Sequence, residues 1–236
     1  MRKRVVLIPV YNEEEHLEGL LARLRQVYQE DVLFVDDGSV DCSPELLKQL
    51  ESPSTRIIMQ PENRGYGATL LRGFSEVISA GYDYVITMDS DGQHRPDWVP
   101  AFFKEIDKGW DIVSGSRYRE EIDGNGSAPE DRRVINRQIT DLLNDITGFA
   151  LTDAFCGFKA YRVQALAKLQ LSLTGYSMPL QLWIQAKALH LRVAELPVSR
   201  IYDDPNRRFG GELDNPQVRL AYYLETIQRE RTRWNV

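Results

Sequence analysis

The chain has 236 residues, 42% hydrophobic and 27% charged, with a formal net charge of −6. That is enough apolar material for a real core, and too acidic a balance for a general nucleic-acid binder, which carries a basic footprint. Two cysteines, Cys42 and Cys156, exclude a disulfide framework and a zinc site made of cysteines from this chain alone. No stretch reaches the roughly 20 apolar residues needed to span a bilayer, and Pro9 cuts the short apolar run that follows the basic start. The expectation is a cytoplasmic protein with reduced thiols, which meets a membrane only peripherally at its inner face.

In chain order, "RVVLIPVY" (4–11) is β-branched and apolar and predicts a buried parallel strand. Leu17, Leu20, Leu21, Leu24 and Val27 recur at helical spacing, which predicts a helix over 12–29 capped by Asn12. "DVLFVDDGSVD" (31–41) predicts a strand and turn. Ser43-Pro44 opens a helix to 51. "RIIMQ" (56–60) predicts a third strand, and "NRGYGATLLRGFSEVISAG" (63–81) a Gly-rich loop feeding a helix. "DYVITMDSD" (83–91) predicts a strand ending in an acidic loop, 95–109 a helix, and "DIVSGSRY" (111–118) a fifth strand. This β-α alternation implies an α/β fold with a mostly parallel sheet flanked by helices, in one domain.

Beyond residue 118 the pattern changes. A polar segment with two glycines and a proline (119–131) predicts a mobile loop. A helix is expected over 132–150, a loop then helix over 152–169, a helix over 177–191, and a strand over 192–202. A turn-rich loop (203–216) then leads to a terminal helix (217–236). That helix carries Val218, Ala221, Tyr222, Leu224 and Ile227 on an apolar side, and docking on the domain is its expected fate. Subunit pairing or an anionic membrane surface are the alternatives. The expected division is a domain over 1–211, with halves 1–118 and 119–211, and a C-terminal helix over 212–236.

In parallel α/β sheets, ligands bind outside the carboxyl ends of the strands. Pro9 to Glu13, Asp36-Asp37, the Gly65 loop, Asp89-Ser90-Asp91 and Arg117 all fall at such ends. Two carboxylates one residue apart repel each other and are costly to desolvate. Asp89 and Asp91 therefore predict a hard divalent cation, Mg²⁺ or Mn²⁺, bridging to a substrate diphosphate, with Gln93 near enough to assist. A solvated turn is the competing reading. Asp36-Asp37 fits either a base-recognition carboxylate or a helix-capping turn. "NRGYGAT" lets backbone N–H groups approach a ligand at a helix start, but it is neither a Walker loop nor the dinucleotide fingerprint. Arginine grips phosphate through paired donors. Arg117 and Arg207 lie in loops at the predicted rim, and Arg132 and Arg133 head a helix.

Taken in order, "IPVYNEEEHL", "VDDGSVDCS", "NRGYGATLLRGF", "MDSDGQHRPDWVP", "DIVSGSRY", "TDAFCGFKAYR" and "LPVSRIYDDPNRRFGG" resemble the family 2 glycosyltransferases of GT-A fold. The resemblance runs nearest to the dolichol-phosphate and polyprenyl-phosphate mannosyl- and glucosyltransferases, and spans residues 8–211. It implies a nucleoside pocket at Pro9, Tyr11 and Glu13, with Asp36 or Asp37 on the base and Gly65 and Ser90 on the donor. Asp89 lies near the ribose and metal, Asp91 is the main metal carboxylate, and Gln93 helps hold the ion. Arg117 faces the sugar and acceptor, and Arg132 and Arg207 hold the acceptor phosphate. Asp153 takes the place of the base that hydroxyl-acceptor relatives use.

Two departures bear on the acceptor. Gly211-Glu212-Leu213 follows the late Arg-x-x-Gly where a Ser-Lys pair is usual, and Asn136 stands where serine is typical. The implied reaction is inverting, metal-dependent transfer of a hexose from GDP-mannose or UDP-glucose to polyprenyl or dolichyl phosphate. A hydroxyl acceptor with Asp153 as base remains open, as does a non-catalytic nucleotide-sugar scaffold. Nucleotidyltransfer ranks below these, because its Gly-rich signature usually follows the first strand and "IPVYNEE" has no glycine.

Overall fold

The computed structural model describes residues 2–120, 129–201 and 211–236. Seven strands form one sheet in the order β3-β2-β1-β4-β6-β5-β7. The strands are β1 (Arg4–Val10), β2 (Asp31–Asp36), β3 (Thr55–Met59), β4 (Tyr84–Thr87), β5 (Ile112–Ser116), β6 (Lys159–Arg162) and β7 (Val193–Pro197). β1 pairs in parallel with β2 and β4, β2 with β3, and β5 with β7. The expected α/β architecture with a mostly parallel sheet is the one observed.

β1 shows why the central strand has almost no polar residues. Val5 and Leu7 point into one core, Val6, Ile8 and Val10 into the other. Successive side chains alternate across a sheet, so a strand covered on both faces must be apolar throughout. Helices α1 (Leu17–Val27), α2 (Ser43–Leu50) and α4 (Val99–Ile106) cover one face. Helices α3 (Tyr66–Ser79), α5 (Glu130–Thr147), α7 (Met178–Ala188) and α8 (Pro216–Trp234) cover the other, and α6 (Val163–Leu166) is a single turn. α7 is buried from Met178 through Ala186, which explains its lack of a polar face.

Three expectations need correction. The segment 152–169 has the expected loop and a one-turn helix, α6, but also a strand between them. It contains β6, which runs antiparallel between β4 and β5 and separates them. Four residues, "KAYR", are too few to show a period. The pairing places Lys159 opposite Thr87, so β6 starts at the rim where β4 ends. Second, α1 begins at Leu17 and Asn12 does not cap it. Asn12 adopts φ +54° and its side chain accepts the Val40 N–H at 2.9 Å. Its own N–H donates to Ser39 Oγ at 2.9 Å, so the residue ties two loops together instead.

Third, α8 docks on the domain as expected, and Ile227 and Tyr222 of the expected face pack on the core, but the rest of the buried face is shifted. Val218 and Leu224 are exposed, while Arg219, Tyr223, Thr226, Ile227 and Glu230 are buried. A hydrophobic stripe alone would not show this, because part of the interface is polar. Glu230 accepts hydrogen bonds from Gln181 Nε2 at 2.9 Å and Gln185 Nε2 at 3.2 Å, both on α7. Asn215 caps the helix by accepting from the Gln217 and Val218 N–H groups. The expected loop over 119–131 lies mostly outside the described residues, and Glu130 and Asp131 already belong to α5. Among the described residues, no helix is long and apolar enough to cross a membrane.

Gln181 Nε2 also donates to Ser172 Oγ and Gln185 Nε2 to the Gln170 carbonyl, so removing the Glu230 carboxylate leaves one buried N–H of each amide without an acceptor, each costing about 1–3 kcal/mol. Glu230→Ala should therefore lower the urea midpoint by an amount equivalent to about 2 kcal/mol or more. An unchanged midpoint would show that the polar seam between α7 and α8 contributes nothing.

Candidate active site

A cleft of about 560 Å³ opens along the carboxyl ends of β1, β2, β4 and β5. Its walls include Pro9, Tyr11, Glu13, Asp37 and Gly65 at one end, and Asp89, Ser90, Asp91 and Gln93 in the middle. Arg117, Arg132, Asn136, Phe155, Arg219 and Tyr223 also line it, and Tyr176 stacks on Tyr66 with ring centroids 6.0 Å apart. Most residues singled out from sequence thus meet in one cavity. Asp36 and Asp153 are not among its walls, and Arg207 lies outside the described residues.

The two adjacent aspartates of β2 divide the work. Asp36 is turned inward, accepting from Ser39 Oγ at 2.5 Å and from the Ser39 N–H at 3.2 Å. Asp37 reaches the cleft, but its carboxylate is already well supplied with donors. It accepts from Gln60 Nε2 at 2.8 Å, the Arg64 N–H at 2.9 Å and the Gly65 N–H at 2.8 Å. Asp37 therefore clamps the Gly-rich loop. Gly65 is required there, since it has φ +95° and an added Cβ would lie 2.8 Å from the Thr174 carbonyl.

At the centre, Asp89 Oδ1 accepts from Tyr66 Oη at 2.8 Å, and the Asp89 N–H donates to His94 Nδ1 at 2.9 Å. His94 in turn stacks on Phe158, with ring centroids 4.9 Å apart. Burial, followed by the charge of Asp89, pushes the Tyr66 phenol well above its ordinary pKa, so it stays a donor. Asp91 Oδ1 accepts the Gln93 N–H at 3.0 Å, which closes the acidic turn. Gly157 passes so close that an added Cβ would lie 2.8 Å from both Asp89 Oδ2 and Tyr66 Oη.

The donor set suits a hard cation. Asp89, Asp91 and the Gln93 amide offer oxygen ligands on one cleft wall. No group of three acidic, histidine or cysteine side chains among the described residues could hold an ion by itself. A divalent ion would therefore need further ligands from a bound phosphate, the arrangement expected of Mg²⁺ or Mn²⁺ with one or two protein carboxylates.

The opposite end is organised by Asp153, which has no exposed surface. Arg117 grips it with two bonds, Nε to Oδ2 at 2.6 Å and Nη2 to Oδ1 at 2.9 Å. Asn136 Nδ2 donates to Oδ1 at 2.9 Å, and the Phe155 N–H does so at 3.2 Å. Burial alone would raise this carboxyl, but the Arg117 guanidinium and the added donors hold it below its ordinary 3.8. Asn136 is itself fixed by Thr140 Oγ1, which donates to its Oδ1 at 2.9 Å. Behind the pair, Glu195 of β7 accepts from the Thr152 and Asp153 N–H groups. Burial raises the Glu195 carboxyl above its ordinary value.

Several site residues escaped the sequence reading. Lys159 lines the cleft from β6, is 2% exposed, and is pushed below its ordinary pKa by burial. Its Nζ donates to the Cys156 carbonyl and lies 5.5 Å from the Trp183 ring centroid. Its signal was the "GFK" after Asp153, which a helix assignment obscured. Arg219 and Tyr223 come from α8, and Arg219 Nη2 pairs with Asp131 Oδ2 at 2.5 Å. No local pattern in the terminal helix distinguishes an arginine turned inward.

With fold and site in view, comparison with known proteins is informative. The family model for glycosyl transferase family 2 matches residues 5–170. The chain belongs to glycosyl transferase family 2, and is a glycosyltransferase of GT-A fold. It is 30% identical over 203 residues to an undecaprenyl-phosphate mannosyltransferase of Micrococcus luteus, covering 83% of this chain and 82% of that one. It is 30% identical over 207 residues to a polyprenol monophosphomannose synthase of Mycolicibacterium smegmatis, covering 84% and 77%. In fold it matches glucosyl-3-phosphoglycerate synthase of Mycobacterium tuberculosis, solved with Mn²⁺, UDP and phosphoglyceric acid. That match has a TM-score of 0.74 at 18% identity and covers 97% of this chain and 78% of that one.

The low carboxyl pKa of Asp153 has a signed consequence. A group with a depressed folded pKa stabilises the fold above its unfolded pKa, and loses that contribution as pH falls through the folded value. Stability should therefore drop below about pH 4 as Asp153 becomes protonated. Asp153→Asn should cost about 3 kcal/mol near neutrality and flatten this acid limb, because one partner of a buried pair is lost. Unfolding curves across pH check both points; an equally steep acid limb in the variant would assign it to other carboxylates.

Proposed function

We propose that this chain transfers a hexose, with inversion, from a nucleoside-diphosphate sugar to a polyprenyl phosphate at a membrane surface. The donor classes are GDP-mannose or UDP-glucose, with Mg²⁺ or Mn²⁺ bound at Asp89, Asp91 and Gln93. The nucleoside lies along Pro9, Tyr11 and Glu13, beside the loop that Asp37 holds, with Asp36 supporting that turn. Gly65 and Ser90 border the donor. The named activities of the polyprenyl-phosphate relatives support this reading, and so does the Mn²⁺ complex of the structural neighbour.

The observation that carries the acceptor class is the state of Asp153. A hydroxyl acceptor needs a base within reach of its proton. Asp153 is fully buried, off the cleft wall, and bonded to Arg117 and Asn136 through both oxygens. It serves as the anchor of Arg117 and not as a base. A phosphate acceptor is already anionic and requires none. Arg117, Arg132 and Arg219 line the end of the cleft where it would enter, and Ile135, Phe155, Met178 and Leu182 offer an apolar wall for its first isoprenoid unit. Arg207 is assigned to the same phosphate.

In the reaction, an acceptor phosphate oxygen forms a bond to the anomeric carbon as that carbon's bond to the donor diphosphate breaks. The nucleoside diphosphate leaves with the electron pair, and no proton changes hands. A bound divalent ion supplies charge stabilisation to the leaving diphosphate. The arginines hold the acceptor in line and offset its repulsion from the donor phosphates. Tyr66, kept protonated, fixes the Asp89 carboxylate through its phenol. The protein works from the cytoplasmic side, beside the bilayer that holds the lipid.

Calorimetric titration of UDP-glucose and GDP-mannose, with and without Mn²⁺ or Mg²⁺, tests the donor half. One donor should bind in a metal-dependent way, and Asp91→Ala should weaken it about a hundredfold or more. Sugar transfer to a polyprenyl phosphate, set against the matching polyprenol and simple sugars, tests the acceptor. Transfer to hydroxyl acceptors alone would sink the phosphate reading, and binding with no transfer to any acceptor would favour a scaffold.

A further inference from the structure

A second cleft, of about 510 Å³, lies on the outer side of α5. It is distinct from the donor cavity, but Tyr118 and Asn136 belong to the walls of both. Its charged lining is dominated by Arg133 and Arg137, one helical turn apart on α5, and by Arg200 beyond the end of β7, against Glu130 and Asp141. On a chain with net charge −6, this is a local reversal of sign.

The pairing of these arginines is informative. Most arginines of known placement have carboxylate or carbonyl partners. Arg4 and Arg56 pair with acids, and Arg25 holds the carbonyls of Glu30 and Ser54. Arg133 and Arg137 have neither an ion pair nor a side-chain hydrogen bond among the described residues. Asp141, at i+4 from Arg137 and on the same cleft, does not pair with it. Two guanidiniums at i and i+4 present their donors side by side. Val134 and Leu151 give the cleft an apolar component, and Val134 is 47% exposed. Arginine donors above apolar surface suit a phosphate that carries an apolar or glycerol substituent.

We propose that this cleft is a second anion site, which binds a phosphate group through Arg133, Arg137 and Arg200. The phosphate belongs to an anionic lipid headgroup or to a small soluble phosphate ester. The site is separate from the acceptor position that Arg117 and Arg132 define, and it does not depend on the transferase reading. Its occupation reports to the active site through a short path. Asn136, on the shared wall, donates to Asp153, and Asp153 holds Arg117. Tyr118, also shared, has the Arg117 and Arg200 guanidiniums each 5.8 Å from its ring centroid.

The test uses the full chain and the double variant Arg133→Gln/Arg137→Gln, whose substitutions lie on an exposed helix face. Flotation is measured with vesicles of phosphatidylcholine alone and with added phosphatidylglycerol, and calorimetry with glycerol phosphate and inorganic phosphate. Native protein should bind at least one anionic probe, and the double variant should bind it about tenfold or more weakly. Binding confined to phosphatidylglycerol vesicles identifies a lipid headgroup; binding of glycerol phosphate or inorganic phosphate in solution identifies a soluble ester. Equal affinities of native and variant protein for every probe, or no binding by either, would overturn the proposal. Nucleotide-sugar titration of the same variant should be unchanged, which separates failure here from failure of the transferase assignment.

Discussion

The cleft beyond the end of β5 depends on the ion pair between Arg117 and Asp153. Burying a carboxylate without a partner is prohibitive, and burying it with a bidentate guanidinium still requires its remaining lone pairs to be filled. Asn136 and the Phe155 N–H do this, while Thr140 fixes Asn136. Each supporting group belongs to a different segment: Arg117 follows β5, Asn136 and Thr140 lie on α5, and Asp153 precedes β6. The network therefore fixes three parts of the chain at once. The same donors hold the Asp153 carboxyl below its ordinary pKa, so the charge that fixes Arg117 persists near neutrality.

The cleft at the ends of β1, β2 and β4 follows the same rule with different residues. Asp37 receives two backbone N–H groups from the Gly-rich loop, and Asp36 is spent within its own turn. Carboxylates that look like ligands in sequence become internal scaffolding when backbone donors reach them first. Asp89 and Asp91 stand together on the cleft wall, where Asp89 accepts from Tyr66 Oη and Asp91 from the Gln93 N–H. Like charges are tolerated there because a cation and a diphosphate are the expected counterparts.

Antiparallel β6 links the two halves. By entering between β4 and β5 it brings Gly157 against Asp89 and Lys159 to the cleft floor. A parallel strand at that position would reach the same rim with its last residues and not its first. The reversal thus lets the segment that carries Asp153 continue directly into the floor of the cleft. α8 completes the opposite wall with Arg219 and Tyr223, so the terminal helix is part of the cavity and not an appendage to it.

Sequence by itself determined the alternating β-α core, the strand-end position of Asp89, Asp91 and Arg117, and the family. These follow from local and periodic signals: apolar runs long enough to be strands, helical spacing, and polar motifs at strand ends. Tertiary structure decided which carboxylates face the cleft, the antiparallel insertion of β6, and the inward face of α8. Each of those depends on partners far along the chain. Asp153 is held by a residue 36 positions earlier, and Glu230 is buried because Gln181 lies 49 positions before it. A four-residue strand or a buried polar seam has no local periodicity to reveal it, because its stabilisation comes from hydrogen bonds that exist only once the distant segments meet.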